Sequence, residues 1–430
     1  MSKLKRYLMI VLIGSLCFIF SGCFDSREVD DMAYAMAIGV DKGTANDIKL
    51  TLQFASTKGG GGEESSKSPG GGESPITTLE TNSVFSGLNL ANSYISKQIN
   101  ISHAKIIIFS EELAREGIHK YVSAFLRSRE FRGSMYVAIS KNSAEEFIRK
   151  AQPKLQANAS RLFEAYFGTY RFTGFTTNSK LSDVYAGLVE DDSQAVATLA
   201  GVGKYKSSKE FSTAGSTYAE KGRTQPLEGD YKAGDIPKAY DSEAELMGLA
   251  VFNGSKMVGE LDGQQSMMYL MVTGKYEQSY ISFKDPKDES QYVLLNVKQS
   301  RIPEKKVDIS GTKPIVHSKI QLEADIVSID SGFNYESPEN TPTLEAAAEE
   351  YLKGEMLQFL NKTAKEFQSD ICGFGKEVKK KFLVFPEWRD YNWLSRYKDA
   401  EFTVDMDLKI RRPGLVVRPV EARSSEGKEF

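Results

Sequence analysis

The chain has 430 residues, with 55 Lys and Arg against 58 Asp and Glu and a formal net charge of −3. A mildly acidic chain is a poor candidate for nucleic-acid binding, because clustered positive charge supplies most of that affinity. The length exceeds what one hydrophobic core usually supports, so we expect two or three domains.

The N-terminus has the three parts of an export signal. Basic residues open the chain, an apolar run follows over residues 7–20, and the small pair Ser21-Gly22 stands at the end. The run is shorter than the roughly 20 residues that cross a bilayer, so an uncleaved anchor is the less favoured interpretation. We therefore predict a signal peptide over residues 1–22, whose removal leaves a mature protein outside the cytoplasm.

Cys23 is the first residue after the predicted cut. Bacterial lipoproteins have a cysteine at this position, and its sulfur takes up a diacylglycerol before the signal is removed. The usual leucine three residues earlier is Phe20 here, which departs from the pattern without breaking it. We predict lipid attachment at Cys23, as an S-diacylglycerol with an N-acyl group, which would tether the protein to a membrane.

Cysteine use predicts a fold without internal disulfides. Cys17 leaves with the signal and Cys23 is committed to lipid, so Cys372 remains alone. We expect Cys372 to be a small buried apolar residue, with a reactive thiol as the minority interpretation.

Two strands open the mature chain. Residues 32–42 place large side chains on one face and small ones on the other, a period of two that is typical of a strand covered on both sides. Residues 48–54 alternate again after a turn, so we expect a hairpin. The Gly-rich tract over residues 58–75 cannot bury enough apolar surface to fold and is predicted to be a mobile loop. It lacks the Gly-Lys-Ser/Thr ending of a phosphate-binding loop.

Helices and strands mix between residues 82 and 189. Strands are predicted over residues 104–109 and 135–140. Helices are predicted over residues 82–97, 111–116, 121–127, 144–148, 160–167 and 181–189. Ser110 and Ser143 stand at N-cap positions. The elements lack the regular alternation of a doubly wound sheet, which favours the α+β class.

Polar, Gly- and Lys-rich sequence over residues 204–244 is the clearest break in the pattern. We predict a linker or an extended connection there. It would join an N-terminal α+β domain (residues 23–203) to a C-terminal α+β domain (residues 245–415), which a polar tail (residues 416–430) follows.

The C-terminal half is predicted to be a largely antiparallel sheet with one long helix. A hairpin signal at Asn253-Gly254 opens it. A short helix is predicted over residues 264–272, and strands over residues 279–283, 292–300, 316–329 and 402–410. Thr341-Pro342 is predicted to begin the long helix, with Thr as the cap, and an apolar stripe at helical spacing continues to Ile371.

No pattern of catalytic or metal-binding residues stands out. His103, His119 and His317 are widely separated, and neither an HExxH nor a G-x-S-x-G motif occurs. Carboxylates are too numerous for counting to exclude a glycosidase pair, although no two stand out. We predict no catalytic residue, no metal and no cofactor.

Two charged runs have plain interpretations. Asp191-Asp192 is interpreted as a solvated helix end rather than a calcium loop. Lys379-Lys380-Lys381 is interpreted as favourable charge at the C-terminus of the long helix, with contact to anionic lipid as the sharper alternative.

Seven stretches of the chain carry a resemblance to a known family. They are residues 23–29 (CFDSREV), 36–42 (MAIGVDK), 103–105, 110–117 (SEELAREG), 127–132, 393–397 and 411–415 (RRPGL). Together they resemble the Ger(x)C family, the lipoprotein C subunits of bacterial spore germinant receptors. The usual Trp after the lipid cysteine is Phe24 here. The similarity covers nearly all of the mature chain, and the order and spacing of its motifs are specific.

The resemblance implies a non-enzymatic subunit that is lipid-anchored on the outer face of the spore's inner membrane. It would act with integral-membrane A- and B-type receptor subunits in the response to nutrient germinants. A mixed α and β fold in several domains, without a cofactor, is also implied. The residues alone leave two alternatives open. One is a solute-binding lipoprotein of a transporter, which predicts two alternating α/β lobes around a cleft; the other is a membrane-tethered cell-wall hydrolase.

Overall fold

The structure is a computed structural model that describes residues 31–55, 74–151, 159–203, 226–238 and 242–412, with the isolated residues Lys3, Lys5, Tyr7 and Met9. Several predictions fall outside the described residues. They are the cut site, Cys23, residues 58–73 of the Gly-rich tract, most of residues 204–244, and the tail over residues 416–430.

The strands of the described residues form two sheets. The first has nine strands in the order β3-β2-β1-β5-β6-β7-β8-β9, with β4 paired to the start of β1. Its strands are β1 (Met32–Lys42), β2 (Ile48–Phe54), β3 (Ile76–Thr81), β4 (Gln98–Asn100), β5 (Ile106–Ser110), β6 (Tyr136–Ser140), β7 (Val196–Val202), β8 (Ala244–Asn253) and β9 (Lys256–Leu261).

Helices cover both faces of the first sheet. β1, β5, β6 and β7 run parallel at its centre, so each connection between them must cross over the sheet. The helices are α1 (Val84–Asn92), α2 (Glu111–Glu116), α3 (His119–Arg127), α4 (Ala144–Lys150), α5 (Ala159–Gly168), α6 (Tyr170–Thr173) and α7 (Leu181–Val189). One crossover contains two helices and the next contains four, which hides the strand–helix alternation in the sequence.

β1 is a strand buried on both faces, as predicted. Ile38 and Val40 belong to the core on one face, and Ala37 belongs to the core on the other. The predicted hairpin with β2 is confirmed by antiparallel pairing, for example between Ile38 and Leu52.

The first sheet continues across the polar stretch over residues 204–244. β8 pairs antiparallel with β7, and β9 pairs with β8. β8 and β9 were predicted to belong to the C-terminal domain, yet their hydrogen bonds place them in the N-terminal sheet. The predicted hairpin is confirmed, but its two-residue loop is Gly254-Ser255, and Gly254 adopts a φ of 57° that favours glycine.

The second sheet has five strands in the order β10-β11-β13-β12, with β14 beside β13. All pairs are antiparallel except β13–β14, which is parallel. Its strands are β10 (Gln278–Lys284), β11 (Tyr292–Gln299), β12 (Glu304–Asp308), β13 (Ile315–Ile329) and β14 (Glu401–Arg412). The remaining helices are α8 (Gly263–Thr273), α9 (Thr341–Lys365), α10 (Gly375–Lys379), α11 (Phe385–Tyr391) and α12 (Trp393–Arg396), and a 3₁₀ turn follows at Tyr397–Asp399.

The long helix α9 packs its apolar stripe onto the second sheet. Leu344, Leu352 and Phe359 are buried in one core with strand residues such as Leu408. The largely antiparallel sheet with one long helix is therefore confirmed, and with it the α+β class.

The ends of α9 differ from the prediction. The N-cap position is Asn340, one residue before the predicted Thr341, and the helix ends at Lys365 rather than near Ile371. Phe367 and Ile371 are buried nevertheless, because the chain turns at Gln368 (φ 50°) and returns them to the same core. The strands β3, β4, β7 and β12 were not predicted.

Candidate functional site: the motif residues and the junction between the sheets

Gly39 and Asp41 of the MAIGVDK motif hold helix α4 on the first sheet. The Asp41 carboxylate accepts hydrogen bonds from the backbone N–H groups of Ala144 (2.6 Å) and Glu145 (3.0 Å), which have no partner inside the helix. Asp41 is buried, and burial raises the pKa of its carboxyl group. A Cβ on Gly39 would lie 2.9 Å from Ile148 Cδ1 and 3.1 Å from Ala144 Cβ, so a larger residue would crowd helix α4.

A second motif stretch, residues 110–117, lies beside the end of the first. The Lys42 ammonium pairs with the carboxylates of Glu116 and of Glu112, the latter at 3.3 Å. Gly117, at φ 129°, ends helix α2, and the next N–H, that of Ile118, donates to the Ser255 carbonyl in the β8–β9 turn. Residues 36–42 and 110–117 are thus in contact, and together they position helices α4 and α2.

The two serine caps differ. Ser143 accepts the Glu146 N–H at 3.0 Å, as predicted. Ser110 occupies the N-cap position of α2, but its side chain makes no capping hydrogen bond.

The two sheets meet along residues 367–375, which follow the long helix. The Ser369 hydroxyl donates to the Phe252 carbonyl (2.6 Å), and the Gln194 N–H donates to the Asp370 carbonyl (2.9 Å). The Asn253 side chain donates to the Gln368 carbonyl at 3.0 Å. These bonds join β8 and the segment before β7 directly to the C-terminal core. We call residues 367–375 the junction segment.

The Asp370 carboxylate organises the junction segment. It accepts hydrogen bonds from the Phe374 N–H (3.1 Å), the Gly375 N–H (2.8 Å) and Trp393 Nε1 (2.8 Å). The side chain is fully buried, and burial raises its pKa. Trp393 belongs to a stretch that carries the family resemblance, so this stretch has a structural role in fixing the junction.

A salt-bridge triad lies beside the junction segment, with Asp192 buried and with Lys379 and Asp191 partly exposed. Lys379 Nζ lies 2.9 Å from Asp191 and 3.1 Å from Asp192, and it sits over the Trp388 ring at 5.6 Å. Hydrogen bonding to the two carboxylates raises the pKa of Lys379. The plain interpretations of these charges are right only in part. Asp192 is buried rather than solvated, whereas Asp191 is partly exposed. Lys379 lies in the last turn of a helix, but this is the short helix α10 and not the long helix.

A polar cleft of about 290 Å³ opens beside the junction segment. Lysine ammonium groups and hydroxyls line it, which suits a small polar molecule. The cations already have partners, however: Lys305 donates to the Cys372 carbonyl at 3.0 Å, and Lys376 lies 3.9 Å from Glu190. Cys372 itself is buried as predicted, and burial raises the pKa of its thiol.

A second cavity, of about 460 Å³, lies between β10 and the long helix. Phe283 and Tyr351 stack in its wall with ring centroids 5.7 Å apart. Burial pushes the pKa of Asp285 upward, but hydrogen bonds from the Ser331 and Tyr335 hydroxyls outweigh it and lower that pKa. The Asp285 carboxylate therefore stabilises the local fold through these hydrogen bonds.

The three histidines lie in separate places. His103 packs edge-on against Tyr34, and His317 lies 3.4 Å from Asp405 on the second sheet. Among the described residues, His, Cys, Asp and Glu nowhere gather in threes as metal ligands would. In the same part of the chain, every helix is too short or too polar to cross a membrane.

Two family models match the chain in succession. "Spore germination protein N-terminal domain" matches residues 25–202, and "Spore germination B3/GerAC like, C-terminal" matches residues 247–414. The chain belongs to the Ger(x)C family of spore germination proteins. The two matches leave out residues 203–246, which include the polar stretch of the sequence analysis.

Similarity to other Ger(x)C proteins extends over whole chains. Spore germination protein KC of Bacillus subtilis (strain 168) is 22% identical, with 97% of this chain and 98% of the relative covered. Spore germination protein YndF of the same organism is 24% identical, covering 96% and 99%. The crystal structure of the GerBC protein matches 90% of this chain and 99% of its own, with a TM-score of 0.50 and 16% identity, which supports the fold.

The contacts that join the two sheets were not predicted from the sequence. Asp370 was not singled out, and the charged runs that contain Lys379 and its partners were not paired, because those partners are 188 and 187 residues away in the chain. The buried Trp393 was the one signal available, because a buried indole N–H usually has an acceptor.

Proposed function

We propose that this chain is a lipid-anchored, non-enzymatic subunit of a bacterial spore germinant receptor. Cys23 carries the lipid, and the folded part assembles with integral-membrane A- and B-type subunits on the outer face of the spore's inner membrane. The observation that carries the proposal is the pair of family matches, which follow each other in order over residues 25–202 and 247–414.

The architecture supports an interaction subunit over a two-lobed solute-binding protein. A solute-binding lipoprotein would have two alternating α/β lobes that close around a cleft. Here the centre of the first sheet is parallel, whereas the second sheet is mainly antiparallel. The junction segment and the salt-bridge triad of Lys379 also hold the two sheets together. These contacts oppose a hinge motion between them.

The receptor role is tested by germination of spores that lack the gene, in a strain without related receptors. The deletion should abolish the response to at least one nutrient, and the wild-type gene should restore it. Normal germination of the deletion spores with every nutrient tried would refute the receptor role.

The anchor is tested by paired cysteine variants in the same strain. Cys23→Ser should release the protein from the membrane fraction and impair germination, whereas Cys17→Ser should restore germination like wild type because that residue leaves with the signal. Mass spectrometry of the mature N-terminus should find acyl chains on Cys23. An unmodified protein that begins at Met1 would contradict the anchor.

Assembly is tested by co-purification from spore membranes through a C-terminal tag. The A- and B-type subunits should be recovered with the tagged chain after detergent extraction. A chain that germinates normally but is purified without either subunit would argue against the assembly.

A further inference from the structure

An apolar tip lies on the surface of the C-terminal unit where helix α11 begins. We give this name to residues 383–386 (LVFP), of which the last two form the first turn of α11. Leu383 is 97% exposed, Phe385 is 60% exposed and Val384 is 50% exposed. A contiguous apolar group of this kind on a soluble domain marks a contact with a partner or a membrane.

The apolar tip stands on a packed base. Phe382, directly before it, packs against Trp388 and Tyr391 with ring centroids 5.8 and 5.2 Å apart. Trp388 is buried and lies under the Lys379 ammonium, which is paired with the aspartates before β7. The exposure of the tip is therefore fixed by the fold.

Two lysines lie next to the base of the tip. Lys380 and Lys381 directly precede Phe382, and both are exposed. Lys380 pairs with Glu377 at 2.7 Å, but its side chain is 69% exposed, and such a surface pair contributes little and can rearrange. Apolar side chains beside exposed ammonium groups match the interface of a bilayer with anionic headgroups.

The apolar tip lies on the side of the molecule where the chain enters the first sheet. Because β1, β5, β6 and β7 are parallel, their first residues share one edge. β1 begins there at Met32, and Asp191-Asp192, which pair with Lys379, lie shortly before β7 begins at Val196. Cys23 is nine residues before Met32, a span that reaches at most roughly 30 Å. A tether at Cys23 would thus hold this edge toward the membrane.

We propose that the apolar tip inserts into the anionic lipid bilayer, with Lys380 and Lys381 at its headgroups, as a second membrane contact besides the lipid. The orientation rests on the proposed anchor at Cys23, but the affinity of the tip for lipid does not.

The test uses the mature chain, residues 23–430, with Cys23→Ser so that lipidation cannot contribute. Its partition into vesicles of phosphatidylcholine mixed with phosphatidylglycerol is compared with its partition into phosphatidylcholine alone. The double variant Leu383→Ser/Phe385→Ser should lower partition into the mixed vesicles at least about tenfold. Lys380→Ala/Lys381→Ala should lower it about fivefold per lysine, and added salt should have the same effect.

Ile302→Ser is the matched control. Ile302 is 87% exposed and lies just before the first residue of β12. Lys381 lies near Asp308, at the opposite end of that strand. This variant should bind vesicles like the Cys23→Ser chain. Because the substituted side chains are exposed, all variants should keep the parent melting temperature.

The proposal is overturned if the Cys23→Ser chain binds neither type of vesicle. It is also overturned if Leu383→Ser/Phe385→Ser binds the mixed vesicles as tightly as the Cys23→Ser chain does. Loss of the A- and B-type subunits in co-purification, without any vesicle binding, would instead identify the tip as a protein contact. In spores, the double variant should still carry acylated Cys23. The acylation of Cys23 therefore tests the anchor, and the partition of the Cys23→Ser chain into vesicles tests the apolar tip separately.

Discussion

Replacing Asp370 with alanine should destabilise the C-terminal unit by about 3 kcal/mol or more. The substitution leaves three buried N–H donors, on Phe374, Gly375 and Trp393, without their acceptor. An unsatisfied buried donor costs about 1–3 kcal/mol. We take the low end for each, because removing a carboxylate whose pKa burial has raised relieves part of the cost.

Tryptophan fluorescence during urea unfolding measures this effect directly. The chain has two tryptophans, Trp388 and Trp393, and both are buried in the C-terminal unit, so the signal reports that unit. Asp390→Ala is the matched control, since Asp390 is exposed and lies between them in sequence. It should stay within about 0.5 kcal/mol of wild type. If Asp370→Ala also stayed within that margin, the organising role of its carboxylate would be refuted.

Three further predictions concern single side chains. Asp41→Ala should cost about 2 kcal/mol and speed hydrogen exchange at the Ala144 and Glu145 amides; unchanged exchange would contradict its capping role. Glu80 accepts hydrogen bonds from the β1–β2 turn, which lower its pKa to about 2, so its stabilisation is present above its unfolded value near 4.5 and lost as the pH falls through 2. An NMR titration of the Glu80 carboxyl group with a midpoint near pH 4.5 would count against this. So would a Glu80→Gln variant that loses as much stability on acidification as the wild type does. Cys372 should resist alkylation until urea unfolds the chain, because burial raises its pKa; rapid labelling of the folded protein would show otherwise.

Strong local periodicity made part of the fold predictable. The alternation in β14 and the two-faced pattern of β1 each correspond to an observed strand, and helix α7 has its predicted ends. β3 and β12 are short and lie at the edges of their sheets, so neither sequence, ITTLET or EKKVD, needs a clean apolar face.

Tertiary contacts decided what the sequence could not. The apolar spacing from Leu344 to Ile371 looks like one helix because all those residues serve one core, although the helix ends at Lys365. The sheet to which a hairpin belongs depends on its neighbour, so β8 and β9 could not be assigned locally. The same holds for Lys379, whose partners lie far away in sequence.

The position of β8 and β9 in the first sheet bears on the order in which the chain can fold. β7 pairs with β6 on one side and with β8 on the other, so a fragment that stops at residue 203 would leave β7 as a bare hydrophobic edge. Such an edge recruits other chains into aggregates. The shortest self-contained N-terminal fragment therefore ends after Leu261. During synthesis, the first sheet cannot be completed until the chain has been made up to that residue.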